Sequence, residues 1–300
     1  MTEHITPWNL CAHGINRILV HQQTPFQDLC IVETGSYGKA LILDGKLQLS
    51  TEDEFLYHEP LVHPAFILHT HPRRVLLLGG GDGAALREIL RWRTVEEVVL
   101  VDLDAAVVAA CTQYLPELHQ QAFEDPRVKV VFQDALEFVD QTSANWDVII
   151  SDLSDPFETG PSLALFTQEF FRKLQRVLAP GGVCAFQAGS VSVIESSIHV
   201  RIVHTLSTVF SSVLSYSSYP SSYGVPIGFA LAADRPLSDQ VDPKQVDQLL
   251  SKQTSMLLRM LDGQTLLGLL QTPKHLRQAI SAETQIYTLV DPPKFMNLKA

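Results

Sequence analysis

The hydrophobic rhythm of the chain changes near residue 73. Before that point the apolar positions fall in three short runs between Asp28 and Leu49, reading DLCIVET, YGKALIL and KLQLS, each of strand length. The last two flank Asp44-Gly45, a pair suited to a tight hairpin turn in which both residues take positive φ. A small β-meander is predicted. Ser50 and Thr51 then lead into TEDEFLYHEPLVHPAFIL, with acids grouped where a helix N-terminus favours them. Pro60 and Pro64 predict that this helix is irregular or divided, since proline has no N–H and crowds the preceding turn.

From Arg73 onward, apolar strands alternate with amphipathic helices. RVLLLGGGDG reads as a strand and a glycine loop, and AALREILRW as a helix. The pattern repeats through VEEVVLVDLD, AAVVAACTQYL, VKVVFQDA, WDVIISDLSDP, ALFTQEFFRKLQRVL and GGVCAFQAG. Such alternation over more than ~100 residues predicts an α/β fold with a parallel, doubly wound sheet. Phe166, Phe170 and Phe171 sit at helical spacing and are expected in the core. The serine-rich stretch from Ser190 to Ser222 reads as an ordinary helix and strand with polar faces, and residues after Asp242 read as helical.

In such a sheet all parallel strands end on one edge, where ligands bind. This chain places an acid at four successive strand ends, Asp82, Asp102, Asp134 and Asp152, with Asp155 and Glu158 close behind. The period of the fold, rather than proximity in sequence, brings them together. Gly79 to Ala84 also fits G-x-G-x-x-A, and Asp102 lies about where an acid would grip ribose hydroxyls. A nicotinamide enzyme is one reading. Against it, Asp82 puts negative charge where a pyrophosphate needs N–H groups and the helix dipole. A cationic nucleoside such as an S-adenosyl compound removes the conflict; alternatively Asp82 only caps its helix.

Composition narrows the remaining classes. With 300 residues and 46% hydrophobic content, the chain can bury a full core. The formal net charge of −11 and the lack of a basic stripe oppose nucleic-acid binding. No run of 18 apolar residues predicts a membrane span, and Met1 to Ala12 does not read as a secretory signal. Cys11, Cys30, Cys111 and Cys184 form no CxxC pair, as expected of thiols in a reducing cytoplasm. His58, His63, His69 and His71 match no H-E-x-x-H pattern, so no metal is expected. Nor is there a G-x-S-x-G elbow for nucleophilic hydrolysis.

The segments LILDGKLQLSTEDEFLYHE, VLLLGGGDGAALREIL, DLSDP and LAPGGVCAFQAG, in this order, strongly resemble the spermidine synthase family. The resemblance covers about Phe26 to Asp234. It implies a Rossmann-like sheet of the class I methyltransferase type behind a small N-terminal β-domain. We place that domain and its connecting helix at residues 1–70, and the catalytic domain, with a helical C-terminal segment, at 71–300. The implied reaction is attack of a polyamine's primary amine on the methylene beside the sulfonium of decarboxylated S-adenosylmethionine, releasing methylthioadenosine. That compound is a co-substrate, and no prosthetic group is implied. Family members form homodimers or homotetramers.

By the same resemblance, Asp152 matches the catalytic base. Tyr57, counted with it as catalytic, and His58 resemble residues that flank the aminopropyl group and the amine. Asp82 matches the acid holding the transferred group's amine, and His58 and Asp155 match amine-binding positions. Gln27, Asp102, Asp134, Ala135 and Pro161 match contacts to the nucleoside. Three positions depart from the family pattern. Asp102 stands where Glu is usual, Ala135 where Gly is frequent, and Ser222 where an amine-contacting tyrosine is expected, with Tyr219 and Tyr223 as substitutes. DLSDP together with QAG resembles branches that use agmatine or make thermospermine, leaving putrescine, agmatine and spermidine as acceptors. The rival readings are an S-adenosylmethionine methyltransferase, whose cofactor carboxylate Asp82 would oppose, and a non-catalytic nucleoside- or amine-binding homologue.

Overall fold

The computed structural model describes residues 1–6, 8–154, 162–255 and 258–293. It opens with three strands that the hydrophobic pattern did not announce. A hairpin pairs β1 (Thr2–Thr6) with β2 (Asn9–Ala12), and β3 (Ile15–Gln23) follows. Their side chains are mostly exposed, so no apolar alternation marks them. The meander comes next, with β4 (Asp28–Thr34), β5 (Lys39–Leu43) and β6 (Lys46–Ser50) completing a four-stranded antiparallel sheet in the order β3-β4-β5-β6. Asp44 and Gly45 turn between β5 and β6 with φ of 49° and 74°, the geometry expected of that hairpin.

Helix α1 (Phe55–His69) departs from expectation. It starts after the acids of TEDE rather than among them, and it runs unbroken through Pro60 and Pro64. The reason is a replacement hydrogen bond. Pro64 cannot donate to the Pro60 carbonyl, and the buried Tyr216 hydroxyl donates to that oxygen instead, at 2.8 Å. This helix, read from sequence as a connector, packs against the large sheet.

That sheet has seven strands: β7 (Arg74–Gly79), β8 (Glu97–Asp102), β9 (Val128–Phe132), β10 (Trp146–Asp152), β11 (Leu178–Ser190), β12 (Ser212–Ser218) and β13 (Ile227–Ala233). Their order is β12-β13-β11-β10-β7-β8-β9. The run from β11 to β9 is parallel, and β13 is antiparallel to both neighbours. The sheet is doubly wound, as the alternation predicted. Val75 and Leu77 belong to one apolar cluster while Leu76 and Leu78 belong to another, so both faces are covered. This is why the strand reads as a continuous apolar run.

Around the sheet lie α2 (Ala84–Leu90), α3 (Ala105–Tyr114), α4 (Pro116–His119), α5 (Ala135–Gln141), α6 (Gln168–Val177) and α7 (Ser197–Ser207). The C-terminal segment adds α8 (Pro243–Gln253), α9 (Gly263–Leu269) and α10 (Lys274–Ala282). Phe166, Phe170 and Phe171 are buried, and the serine-rich stretch forms α7 and β12. A separate apolar cluster joins Leu29, Ile31, Leu41 and Leu49 of the N-terminal sheet to Val107, Ala110 and Cys111 of α3. Among the described residues no helix is long and apolar enough to cross a membrane.

Candidate active site

Chain direction sets the position of the cleft. From β7 the chain builds outward through β8 and β9, then returns to the other side of β7 to lay down β10 and β11. The reversal lies between β7 and β10, where Gly79 pairs with Asp152, and a crevice opens at such a point. Gly79 has φ of 76°, and a Cβ there would meet the Asp152 carbonyl at 2.1 Å. Glycine is required both by conformation and by close approach. At Gly81 a Cβ would lie 2.7 Å from Asp102 Oδ2, so glycine lets the loop come close to the second strand end.

Into this crevice open Gln27, Tyr57, His58, Asp82, Asp102, Asp134, Ala135 and Asp152. Eight of the ten positions singled out from sequence thus line one cavity. Asp155 and Pro161 lie outside the described residues, as does Glu158. The cap position of α2 is Gly83, and Asp82, one residue earlier, accepts from Ala84 N through Oδ1 at 2.7 Å. Across the crevice Asp82 also faces His58, whose Nε2 is 3.8 Å from the same oxygen. Asp134 caps α5 by accepting from Leu136 N at 2.7 Å.

Gln27 is held within the protein. Its amide donates to Asp104 Oδ2 at 3.0 Å, and the Thr24 hydroxyl donates to the same oxygen at 2.7 Å. Asp104 caps α3 through its other oxygen, so the N-terminal sheet is fastened to the helix behind the nucleoside-binding candidates. Asp104 was missed from sequence, although it stands two residues beyond Asp102. Burial chiefly raises Asp102 to about 6, with the charges of Asp104 and Asp82 adding and the N–H groups of Asp104 and Gly81 opposing.

Asp152 is the centre of the constellation. Tyr57 donates its hydroxyl to Oδ1 at 2.7 Å, while Oδ2 is buried without a hydrogen-bond partner. Burial first, and then the Asp82 charge, lift this carboxyl to about 6, against the opposing pull of His58 and Tyr57. An acid so placed can accept a proton near neutral pH. One atom from each of His58, Asp82 and Asp152 lies within 4.8 Å of the other two, a trio that encloses space for a cationic group.

A second cavity meets the first at Gln48, Tyr57, Leu153 and Ser154. Its walls include Tyr223, Val225, Ile227, Gln187 and Glu195. Tyr223 stacks on Tyr57 at 5.8 Å between ring centroids and 8° between planes, and its hydroxyl donates to the Gln48 carbonyl. Tyr219 is exposed and lines neither cavity. Ser222 is buried, bonded to Asp53 through both hydroxyl and N–H. Of the two tyrosines flanking Ser222, Tyr223 is therefore the one that walls the second cavity and stacks on Tyr57, the partner of Asp152.

Comparison with known proteins places this architecture. Residues 54–242 match the family model of the spermine/spermidine synthase domain, and residues 1–51 match that of the spermidine synthase tetramerisation domain. A polyamine aminopropyltransferase from Synechococcus sp. (strain JA-2-3B'a(2-13)) is 55% identical over 299 residues, covering 97% of this chain and 96% of that protein. Another from Aeropyrum pernix is 41% identical, covering 96% and 92%. A crystal structure of spermidine synthase in complex with the transition-state analogue AdoDATO superposes with a TM-score of 0.83 at 27% identity, over 90% of each chain. The spermidine synthase of Thermotoga maritima gives 0.80 at 27%, over 90% and 89%. With both models matched in order and relatives alike over nearly their whole length, the chain belongs to the spermine/spermidine synthase family.

Proposed function

We propose that the protein transfers the aminopropyl group of decarboxylated S-adenosylmethionine to a polyamine, with Asp152 as the general base. The observation that carries this reading is Asp152 on the wall of the first cavity, with one oxygen held by Tyr57, which also walls the second, and the other oxygen buried and unpartnered. The donor occupies the first cavity, with Asp102 at its ribose and Asp134, Ala135, Gln27 and Pro161 about the rest of the nucleoside. Asp82 receives the donor's ammonium. The acceptor enters through the second cavity past Tyr223, with His58 and Asp155 at the reacting amines.

The acceptor amine attacks the methylene next to sulfur as the carbon–sulfur bond breaks, and methylthioadenosine leaves with the bonding pair. The nitrogen must first be neutral. An alkylamine of pKa ~10.4 is unprotonated in about one molecule per 2,500 at pH 7, so providing the free amine addresses roughly 4–5 kcal/mol of barrier. A carboxylate raised to about 6 is a better proton acceptor than an ordinary Asp, and alignment across the junction supplies the remainder. Putrescine, agmatine and spermidine are the acceptor candidates.

We also infer self-association through the N-terminal strands into a dimer or tetramer, and a cytoplasmic setting. The exposed apolar side chains of Trp8, Leu10 and Ile18 support the former, since such groups are covered in oligomers. The test of function is a product assay by mass spectrometry. Purified protein is given decarboxylated S-adenosylmethionine with each amine separately, and methylthioadenosine release and the amine's mass gain are followed. Transfer to one amine establishes reaction and acceptor together; no transfer to any of them rejects the proposal.

A further inference from the structure

Behind the site runs a chain of buried charges that the reaction as written does not use. Arg87 donates from Nη2 to Glu54 at 3.1 and 2.9 Å, and from Nε to Glu88 at 2.9 Å. Glu54 Oε2 in turn lies 2.9 Å from His58 Nδ1, which is also 2.9 Å from the Glu54 carbonyl. Both partners can only accept, so Nδ1 carries a hydrogen. The ring is thereby fixed with Nε2 toward Asp82, at 3.8 Å. His58 and Glu54 are almost wholly buried, so no solvent rearrangement can substitute for this orientation.

We propose that Glu54 is a positioning residue for the transfer, acting through His58: it holds the imidazole so that Nε2 carries a proton against Asp82 in the empty site and releases it when the donor's ammonium arrives. This rests on the aminopropyltransferase reading. The groups facing His58 are Glu54 from the residue just before α1, the edge of Tyr57 from α1, Arg87 beyond Glu54 from α2, Asp82 from the loop after β7, and Asp152 from β10. Three of these are carboxylates, and one imidazolium offsets part of their mutual repulsion. Burial pulls His58 down, yet the bond to Glu54 and the charges of Asp82, Glu54 and Asp152 raise it to about 9. A second cation beside Nε2 reverses the balance. The imidazole then sheds its Nε2 proton to solvent and presents a lone pair to the ammonium, with Nδ1–H still on Glu54.

The inference is tested by calorimetry at pH 7.5 in phosphate and in Tris, whose ionisation enthalpies differ. Decarboxylated S-adenosylmethionine is compared with methylthioadenosine, which shares the nucleoside but has neither ammonium nor sulfonium. We expect about one proton released per donor bound and close to none for methylthioadenosine. The donor KM of the native protein is expected to fall as pH rises toward about 9; Glu54→Gln is expected to reduce the release several-fold and to flatten that dependence, while kcat changes less. If Glu54→Gln does not fold, nitrogen-15 spectra of the native imidazoles decide, with His58 assigned from a His58→Gln spectrum. Movement of its Nε2 from the protonated to the unprotonated range on donor addition supports the inference; no movement overturns it. Donor binding without proton release, or equal release with both ligands, also overturns it. A donor that does not bind at all rejects the aminopropyltransferase reading and the inference together.

Discussion

Tyr57 and Asp152 are 95 residues apart in sequence and share a 2.7 Å hydrogen bond in which the phenol donates to one oxygen of the carboxylate. The bond leaves the other oxygen buried and without a hydrogen-bond partner, and this is the oxygen that the proposed reaction uses as base. A donated hydrogen bond favours the charged form of the acid, so Tyr57 restrains a carboxyl that burial and Asp82 push upward.

Replacing Asp152 by Asn retains shape and the Tyr57 contact while removing the base. We expect turnover to fall about 10²- to 10⁴-fold, with methylthioadenosine affinity in calorimetry nearly unchanged. Turnover equal to the native protein would exclude Asp152 from proton transfer.

Tyr57→Phe removes the donor that holds Asp152 down. The pKa of Asp152 should therefore rise above about 6, and the acidic limb of kcat/KM should move to higher pH. A profile measured from pH 5 to 8 checks the sign: activity in the variant must be lost first on the acidic side.

Tyr223 and Tyr219 separate by position. Tyr223 walls the second cavity, and an ammonium against a tyrosine ring gains about 0.5–1 kcal/mol. Tyr223→Ala should thus raise the acceptor KM by roughly 2- to 5-fold, whereas Tyr219→Ala should leave it unchanged. Equal effects would remove Tyr223 from the acceptor path.

The unbroken α1 offers a test away from the chemistry. Tyr216→Phe strands the buried Pro60 carbonyl and should cost about 1–3 kcal/mol in urea unfolding. Adding Pro64→Ala restores an N–H four residues on, and the double variant should recover much of that loss. Additive effects would mean that the Tyr216 bond does not stand in for the missing N–H.

Much of this was legible in the residues. The switch from short runs to alternating strand and helix identified the doubly wound sheet, and acids at successive strand ends predicted a common edge, since register in a parallel sheet aligns them. Four of those acids, Asp82, Asp102, Asp134 and Asp152, do share one cavity. What escaped has physical causes. β1 to β3 present exposed faces and carry no burial rhythm. The continuity of α1 depends on Tyr216, 156 residues away, which no local rule can supply. Asp104 receives partners from residues about 80 positions earlier. Glu54 was within reach, because it precedes His58 by one helical turn on the same face.

Helix α1 carries Tyr57 and His58 into the cleft, and the next residue, Glu59, points elsewhere. Its fully buried carboxylate accepts the main-chain N–H groups of Arg259, Met260 and Leu261 at 2.6 to 2.9 Å. Until those three amides have been synthesised, the carboxylate lacks the main-chain donors that, among the described residues, offset the cost of its burial. The burial of Glu59 therefore waits on residues some 200 positions further along the chain, and the helix that carries Tyr57 and His58 takes its final packing only late in synthesis.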